Sequence, residues 1–336
     1  MEKNLDLIDT SGMYKVYNNW PELAHNAYKN VENVLEFDHV DHIIFAGMGG
    51  SGTIGDLFSS ILSKSNLHVS VVKGYRLPSV ANENSLVIGT SVSGNTSETL
   101  TILNTAKNRN CKIVGFSSGG KLEDFCTKNN LKFNKIDMIH SPRASFPNFF
   151  FTMIASLKEV LKIDSTEVMD AINAFKITKE NISSENFSET NKALNLANWI
   201  KGIPIMYYPW GLKAAAIRFK NSLQENSKMH VITEDVIETC HNGVVAWENP
   251  TEVQPILLQG KDDHKKTLER WNIIKEFFNQ KNINYFEVFS EKGSIITKLT
   301  NLIYLLDYST IYKAINEKID PSPVLPIDFV KNNIQD

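Results

Sequence analysis

Ile43-Ile44-Phe45-Ala46-Gly47-Met48-Gly49-Gly50-Ser51-Gly52 sets four apolar residues directly before a glycine cluster, and residues 51–62 continue with helical periodicity. A strand running through a glycine turn into a helix opens a βα unit of a parallel sheet. Gly47, Gly49 and Gly52 satisfy G-x-G-x-x-G. Such glycines let the chain turn tightly and bring N–H groups close to an anion at a helix N-terminus. A dinucleotide site also needs an acidic residue about twenty positions on, at the end of the next strand. Here that strand ends Val71-Val72-Lys73-Gly74. The missing carboxylate argues against NAD but leaves open phosphate binding, beside the alternative of a structural glycine turn.

Outward from this unit the same alternation continues. Strand-like runs at 69–72, 86–90, 112–116 and 132–136 are interleaved with helical patterns at 96–108 and 120–129. Residues 149–200 read as helical, with polar breaks at 162–165 and 178–185, and bridge to a second alternating block. That block has strands at 203–208, 253–258 and 285–289, and helices at 211–225, 263–280 and 294–316. Pro321, Pro323 and Pro326 precede a short helix around 328–334. With 336 residues the chain exceeds one ordinary domain, and the expectation is two α/β domains, 1–155 and 156–336.

Composition narrows the function classes. Thirty-five Lys and Arg against 38 Asp and Glu give a net charge of −3, without the basic field that nucleic-acid backbones require. The three cysteines, Cys111, Cys126 and Cys240, form no C-x-x-C and suggest neither a disulfide framework nor a thiolate zinc site, which fits a reducing cytoplasm. The charged start has no apolar core of a signal peptide, and the longest apolar stretches are broken by polar residues, so no membrane span is expected.

A second loop strengthens the phosphate reading. After Leu86-Val87-Ile88-Gly89-Thr90 comes Ser91-Val92-Ser93-Gly94-Asn95-Thr96, then a helical pattern from Ser97. Hydroxyls beside a free helix N-terminus offer several donors to phosphate oxygens. The competing reading is a plain Ser/Thr helix cap. Two such loops at the ends of adjacent strands favour the anion.

Together, residues 47–52 and 91–96 resemble the sugar isomerase (SIS) domain, a flavodoxin-like parallel sheet that binds phosphosugars. Four further stretches, in order along the chain, are similar to the bifunctional phosphoglucose/phosphomannose isomerase family. They are Ser141-Pro142-Arg143-Ala144-Ser145-Phe146, the run from Arg218 to Lys228, His241-Asn242 with Trp247-Glu248, and Asp320-Pro321-x-Pro323-Val324 ahead of Lys331. The resemblance implies two tandem SIS domains. It implies interconversion of glucose 6-phosphate and mannose 6-phosphate with fructose 6-phosphate, without metal or cofactor. Gly49, Gly50, Ser51, Ser91, Ser93 and Thr96 are then the substrate-holding residues. Glu225 moves the proton between C1 and C2, Arg143 stabilises the enediolate, Lys331 lies near the sugar ring, and His241 opens that ring by reaching across a homodimer interface. The sequence departs from the pattern at Val92, where a tyrosine is common, and at Gly243, where an acid is common.

Read without the resemblance, these residues have plainer accounts. Arg143 is a loop charge, Glu225 a surface carboxylate at a helix end, His241 a hydrogen-bonded loop histidine and Lys331 a solvated helix terminus. Asp38-His39-Val40-Asp41-His42 invites a metal, yet without further ligands at recognisable spacing it reads as a solvated turn. The alternatives in function are a single-specificity phosphoglucose isomerase and a phosphosugar-binding regulator. Retention of Glu225, His241 and Arg143 together favours chemistry over sensing.

Overall fold

Strand β1 (His42–Ala46) is buried along its whole length, so its side chains need apolar company on both faces. Ile43 and Phe45 point into one cluster, and Ile44 and Ala46 into another, the period of two that a pleated strand imposes. The computed structural model describes residues 2–31 and 33–334. β1 is followed by β2 (His68–Val72), β3 (Ser85–Thr90), β4 (Lys112–Ser117) and β5 (Lys132–Lys135). All pair in parallel, in the order β2-β1-β3-β4-β5. This is the flavodoxin-like order.

The second sheet holds β6 (Ile203–Tyr208), β7 (Ile232–Asp235), β8 (Val253–Gln259) and β9 (Phe286–Phe289). Its order, β7-β6-β8-β9, is again all parallel and repeats the first without a fifth strand. Met206 and Tyr208 of β6 and Ile256 and Leu258 of β8 face the same apolar cluster as Ile43 and Phe45, whereas Ile205, Tyr207 and Leu257 face a separate one. One continuous core therefore joins the inner faces of both sheets, and each outer face has its own.

The helices Phe146–Ser156, Ser165–Ile182 and Ile295–Asn316 bury their apolar residues in that shared core. Tyr304, Tyr308 and Tyr312 stand four residues apart on one face of the last. Their hydroxyls donate to Tyr17 O, Asn18 Oδ1 and Ile182 O at 2.7–2.9 Å, clamping the helix Met13–Asn18 and the end of Ser165–Ile182, while Trp20 of the next N-terminal helix, Trp20–Lys29, stacks on Tyr304.

Four expectations change. The polar break at 178–185 begins only at Ser183, because Ile182 is buried and Thr178 Oγ1 bonds Asn301 Oδ1. β7 and the N-terminal helices have no counterpart in the sequence reading. The C-terminal helix spans Leu325–Asn333 and buries none of its residues. His42 is no solvated turn residue: it is buried at the start of β1, its Nε2 2.9 Å from Ser70 Oγ and its ring against His68.

Candidate active site

β1 and β3 are neighbours, and the strand order reverses between them, which is where open α/β sheets bind ligands. Two helices begin at their C-terminal ends, Gly49–Ile61 after β1 and Ser97–Asn108 after β3. Among the described residues no side chain caps the first amides of either. Thr96 stands at the cap position, yet its hydroxyl lies 2.7 Å from Ser91 Oγ instead of turning to the helix. The first-turn N–H groups thus stay available to an anion, with two helix dipoles favouring negative charge. Ser93 is exposed beside them, its hydroxyl accepting from Asn95 N at 3.3 Å. Gly94, at φ 71°, holds the loop against the next one. A Cβ there would stand 1.7 Å from Gly119 O, so no other residue fits. Where a dinucleotide fold carries an acid, Lys73 lies against Gly52 and pairs with Asp56.

Arg143, in the segment between β5 and the helix Phe146–Ser156, is no solvated charge: its side chain is 4% exposed. Nη1 donates to Glu225 Oε2 at 3.0 Å and Nε to Asn226 Oδ1 at 2.6 Å. Nη2 donates to Pro321 O at 2.7 Å and Ser322 O at 3.0 Å. Asn226 cannot turn over. Thr310 gives its hydroxyl proton to Asp307 O, so it accepts from Asn226 Nδ2 at 2.7 Å and leaves the amide oxygen facing Arg143. Glu225 ends the helix Lys213–Ser227 and is 25% exposed, open on one side to a ligand and held on the other by the guanidinium. Lys228, at φ 56° just beyond that helix, closes its end by donating to Glu225 O at 2.6 Å. Burial, and after it the Arg143 charge, lowers the Lys228 ammonium.

Arg143 and Glu225 are thus brought together, as are the two loops. His241 and Lys331 are exposed, on the turn after the helix Val236–Thr239 and on the C-terminal helix. Among the described residues neither side chain hydrogen-bonds to any of the others.

The SIS-domain family model matches residues 36–154, and that of the bacterial phospho-glucose isomerase C-terminal SIS domain matches residues 189–334. A bifunctional phosphoglucose/phosphomannose isomerase of Caldicellulosiruptor bescii is 30% identical over 335 residues, covering 96% of this chain and 98% of that one. The chain belongs to the bifunctional phosphoglucose/phosphomannose isomerase family. A second relative of that name, from Aquifex aeolicus, is 29% identical and covers 87% of this chain and 90% of its own. The crystal structure of a hypothetical protein of Thermus thermophilus superposes with a TM-score of 0.70 at 15% identity, over 98% of this chain and 88% of that one. The two-domain SIS fold is shared at that distance.

One buried group lies in a quoted motif that assigns it no role. Arg218, on the same helix as Glu225, is 1% exposed and bonds Asp307 Oδ2 through Nε at 2.9 Å and Nη2 at 2.7 Å. Nη2 also donates to Arg143 O at 2.6 Å. Burial raises the Asp307 carboxyl while Arg218 pulls it the other way. The sequence does hold a signal for this pair. Arg218 falls in step with the buried Ala215, Phe219 and Ser222, and Asp307 interrupts an apolar stretch of its own helix. Opposite charges set among buried positions of two packed helices are a buried pair in waiting.

Proposed function

We propose that this chain interconverts glucose 6-phosphate and mannose 6-phosphate with fructose 6-phosphate, the reaction named for its relatives. The observation that carries the reading is the Arg143–Glu225 pair, 3.0 Å apart and locked from behind, with Arg218 reaching from the Arg143 carbonyl to the helix start at Gly50. Gly49, Gly50, Ser51, Ser91, Ser93 and Thr96 hold the phosphate end. With that end fixed, the open-chain carbonyl lies against Glu225, and reaction within the complex replaces a collision. Glu225 takes the proton from C2 of the aldose and returns it to C1 through a cis-enediol. Arg143 meets the negative charge that develops on the two oxygens, already oriented by four hydrogen bonds. Proton return to either face of C2 gives both aldoses.

The remaining roles belong to the same proposal. His241 opens the sugar ring from a second copy in a homodimer, which agrees with its exposure. Lys331, on the C-terminal helix, lies near the sugar ring. The domains divide at 155/156, at the end of the helix Phe146–Ser156, and the enzyme works in the cytoplasm.

The test is to treat the purified protein with EDTA, incubate it with fructose 6-phosphate, and quantify glucose 6-phosphate and mannose 6-phosphate separately. Both products are expected. Glucose 6-phosphate alone means a single-specificity isomerase. Neither product, with fructose 6-phosphate still protecting the fold against heat, means a binding protein.

A further inference from the structure

Arg218 has one nitrogen, Nη1, for which the described residues supply no acceptor. Nε and Nη2 are engaged by Asp307 and by Arg143 O, and the ring of Phe146 covers the guanidinium 5.2 Å away. Among the described residues Nη1 has no hydrogen-bond partner, although the residue is almost wholly buried. It lies 3.3 Å from the point a Cβ on Gly50 would occupy. Gly50 is the second residue of the helix Gly49–Ile61, and Cα–Cβ bonds in a helix tilt toward its N-terminus. That point is therefore on the open side of the turn, where uncapped amides face outward. A guanidinium N–H aimed there has an oxyanion as its natural partner.

We propose that Arg218 is a substrate-binding residue whose Nη1 donates to an oxygen of the phosphate held at the Gly49–Gly50 turn, with Asp307 fixing the fork in that orientation. This rests on the reading that the loops at 47–52 and 91–96 hold the phosphate. It also explains why position 50 is glycine, since a methyl group would occupy the space between Nη1 and the ligand. Arg218 and Glu225 are seven residues, two turns, apart on one helix, so they face the same side about 10 Å apart along its axis. A single rigid element then grips the phosphate at one level and moves the proton at another. The same guanidinium holds the Arg143 carbonyl, so the second arginine is located by the first.

The experiment measures inorganic phosphate, by calorimetry and as a competitive inhibitor of fructose 6-phosphate turnover, on the wild type, Arg218→Lys and the paired variant Arg218→Met/Asp307→Leu. The pair removes both buried charges together, so neither is left without its partner. Phosphate affinity is expected to fall about 10- to 100-fold in both variants, as for loss of a hydrogen bond to a charged group. KM for fructose 6-phosphate should rise alongside it, and kcat fall as far as loss of the contact to Arg143 O displaces that arginine. Wild-type phosphate affinity in the paired variant, even with a fallen kcat, overturns the proposal and leaves Arg218 as a strut, with the loop reading intact. If the wild type itself binds no phosphate, the loop reading fails and the proposal with it.

Discussion

The two sheets share an order and a direction, yet their C-terminal edges are finished in opposite ways. After β3 the first domain places Ser91, Ser93 and Thr96 before a helix whose amides no side chain caps. At the matching point after β8, the second domain places carboxylates and satisfies itself. Asp263 Oδ2 accepts from Gly260 N at 3.0 Å and Trp271 Nε1 at 3.2 Å, and His264 Nδ1 accepts from Lys266 N at 3.2 Å. After β1 stands the glycine turn, and after β6 a short 3₁₀ turn, Trp210–Leu212, that leads straight into the helix of Arg218 and Glu225. One architecture has thus been used twice, once left open to an anion and once closed. The closed copy contributes its helix, not its edge, to the proposed site.

The largest expected effect tests this division of labour directly. Glu225→Gln keeps the size and polarity of the closed domain's contribution but removes the base, so turnover should fall about 10³-fold. Protection of the fold by fructose 6-phosphate should survive, because the open edge is untouched. Near-wild-type turnover in this variant would remove Glu225 from the mechanism whatever the family.

Next in size is making the open edge resemble the closed one. Thr96→Asp puts a carboxylate at an unused cap position, with two consequences of opposite sign. KM for fructose 6-phosphate should rise about 10²-fold, since like charges brought together cost several kcal/mol. Stability without substrate should increase by about 0.5–1 kcal/mol as the helix gains a cap. A urea titration and a Michaelis curve on the same preparation decide it, and a rise in KM without added stability would mean damage to the loop. The mirror experiment is Asp263→Ala in the closed edge. It deprives Gly260 N and Trp271 Nε1 of their acceptor and should cost about 1–3 kcal/mol of stability with KM unchanged. A shift in KM there would show that the second edge also meets substrate.

What the sequence discloses follows the same asymmetry. The open edge is legible because its chemistry is local, with Gly47–Gly52 and Ser91–Thr96 each a single loop between a strand and a helix. Arg143 and Glu225 are legible only through the order of family motifs. Their 3.0 Å contact joins residues 82 apart and depends on Asn226, Thr310 and the carbonyls of Pro321 and Ser322, none of which any periodicity marks. β7 escapes because its four residues end in Glu234 and Asp235 at a sheet edge, a composition that reads as loop. Polar Thr178-Lys179-Glu180-Asn181 reads as a helix break, yet tertiary contacts at Thr178 and Ile182 carry the helix through. Arg218 and Asp307 lie 89 residues apart, and only the pairing gives either charge a reason to be buried.

The smallest expected effect concerns the opposite ends of the sheets. The first begins on a titratable pair: His42 is buried against His68 and bonded to Ser70. The second begins on an amide, Gln254 Oε1 accepting from Lys201 N and Gly202 N at 2.6 Å. Burial, and then the neighbouring His68 charge, lowers the His42 imidazole. The unfolded chain therefore takes up a proton near pH 6.5 that the folded chain still refuses. Folded His42 thus contributes stability above that pH, and the contribution is lost as the pH falls from about 6.5 toward its lowered folded value. Acid should accordingly weaken the first sheet through this residue, while Gln254 gives the second no such dependence. His42→Gln, which retains a partner for Ser70, should flatten the fall of the urea midpoint between pH about 6.5 and 5 relative to the wild type. His140, also lowered chiefly by burial, remains in that variant and leaves part of the slope. Parallel curves for the two proteins would mean that His42 titrates alike folded and unfolded, and that its place at the head of β1 carries no acid sensitivity.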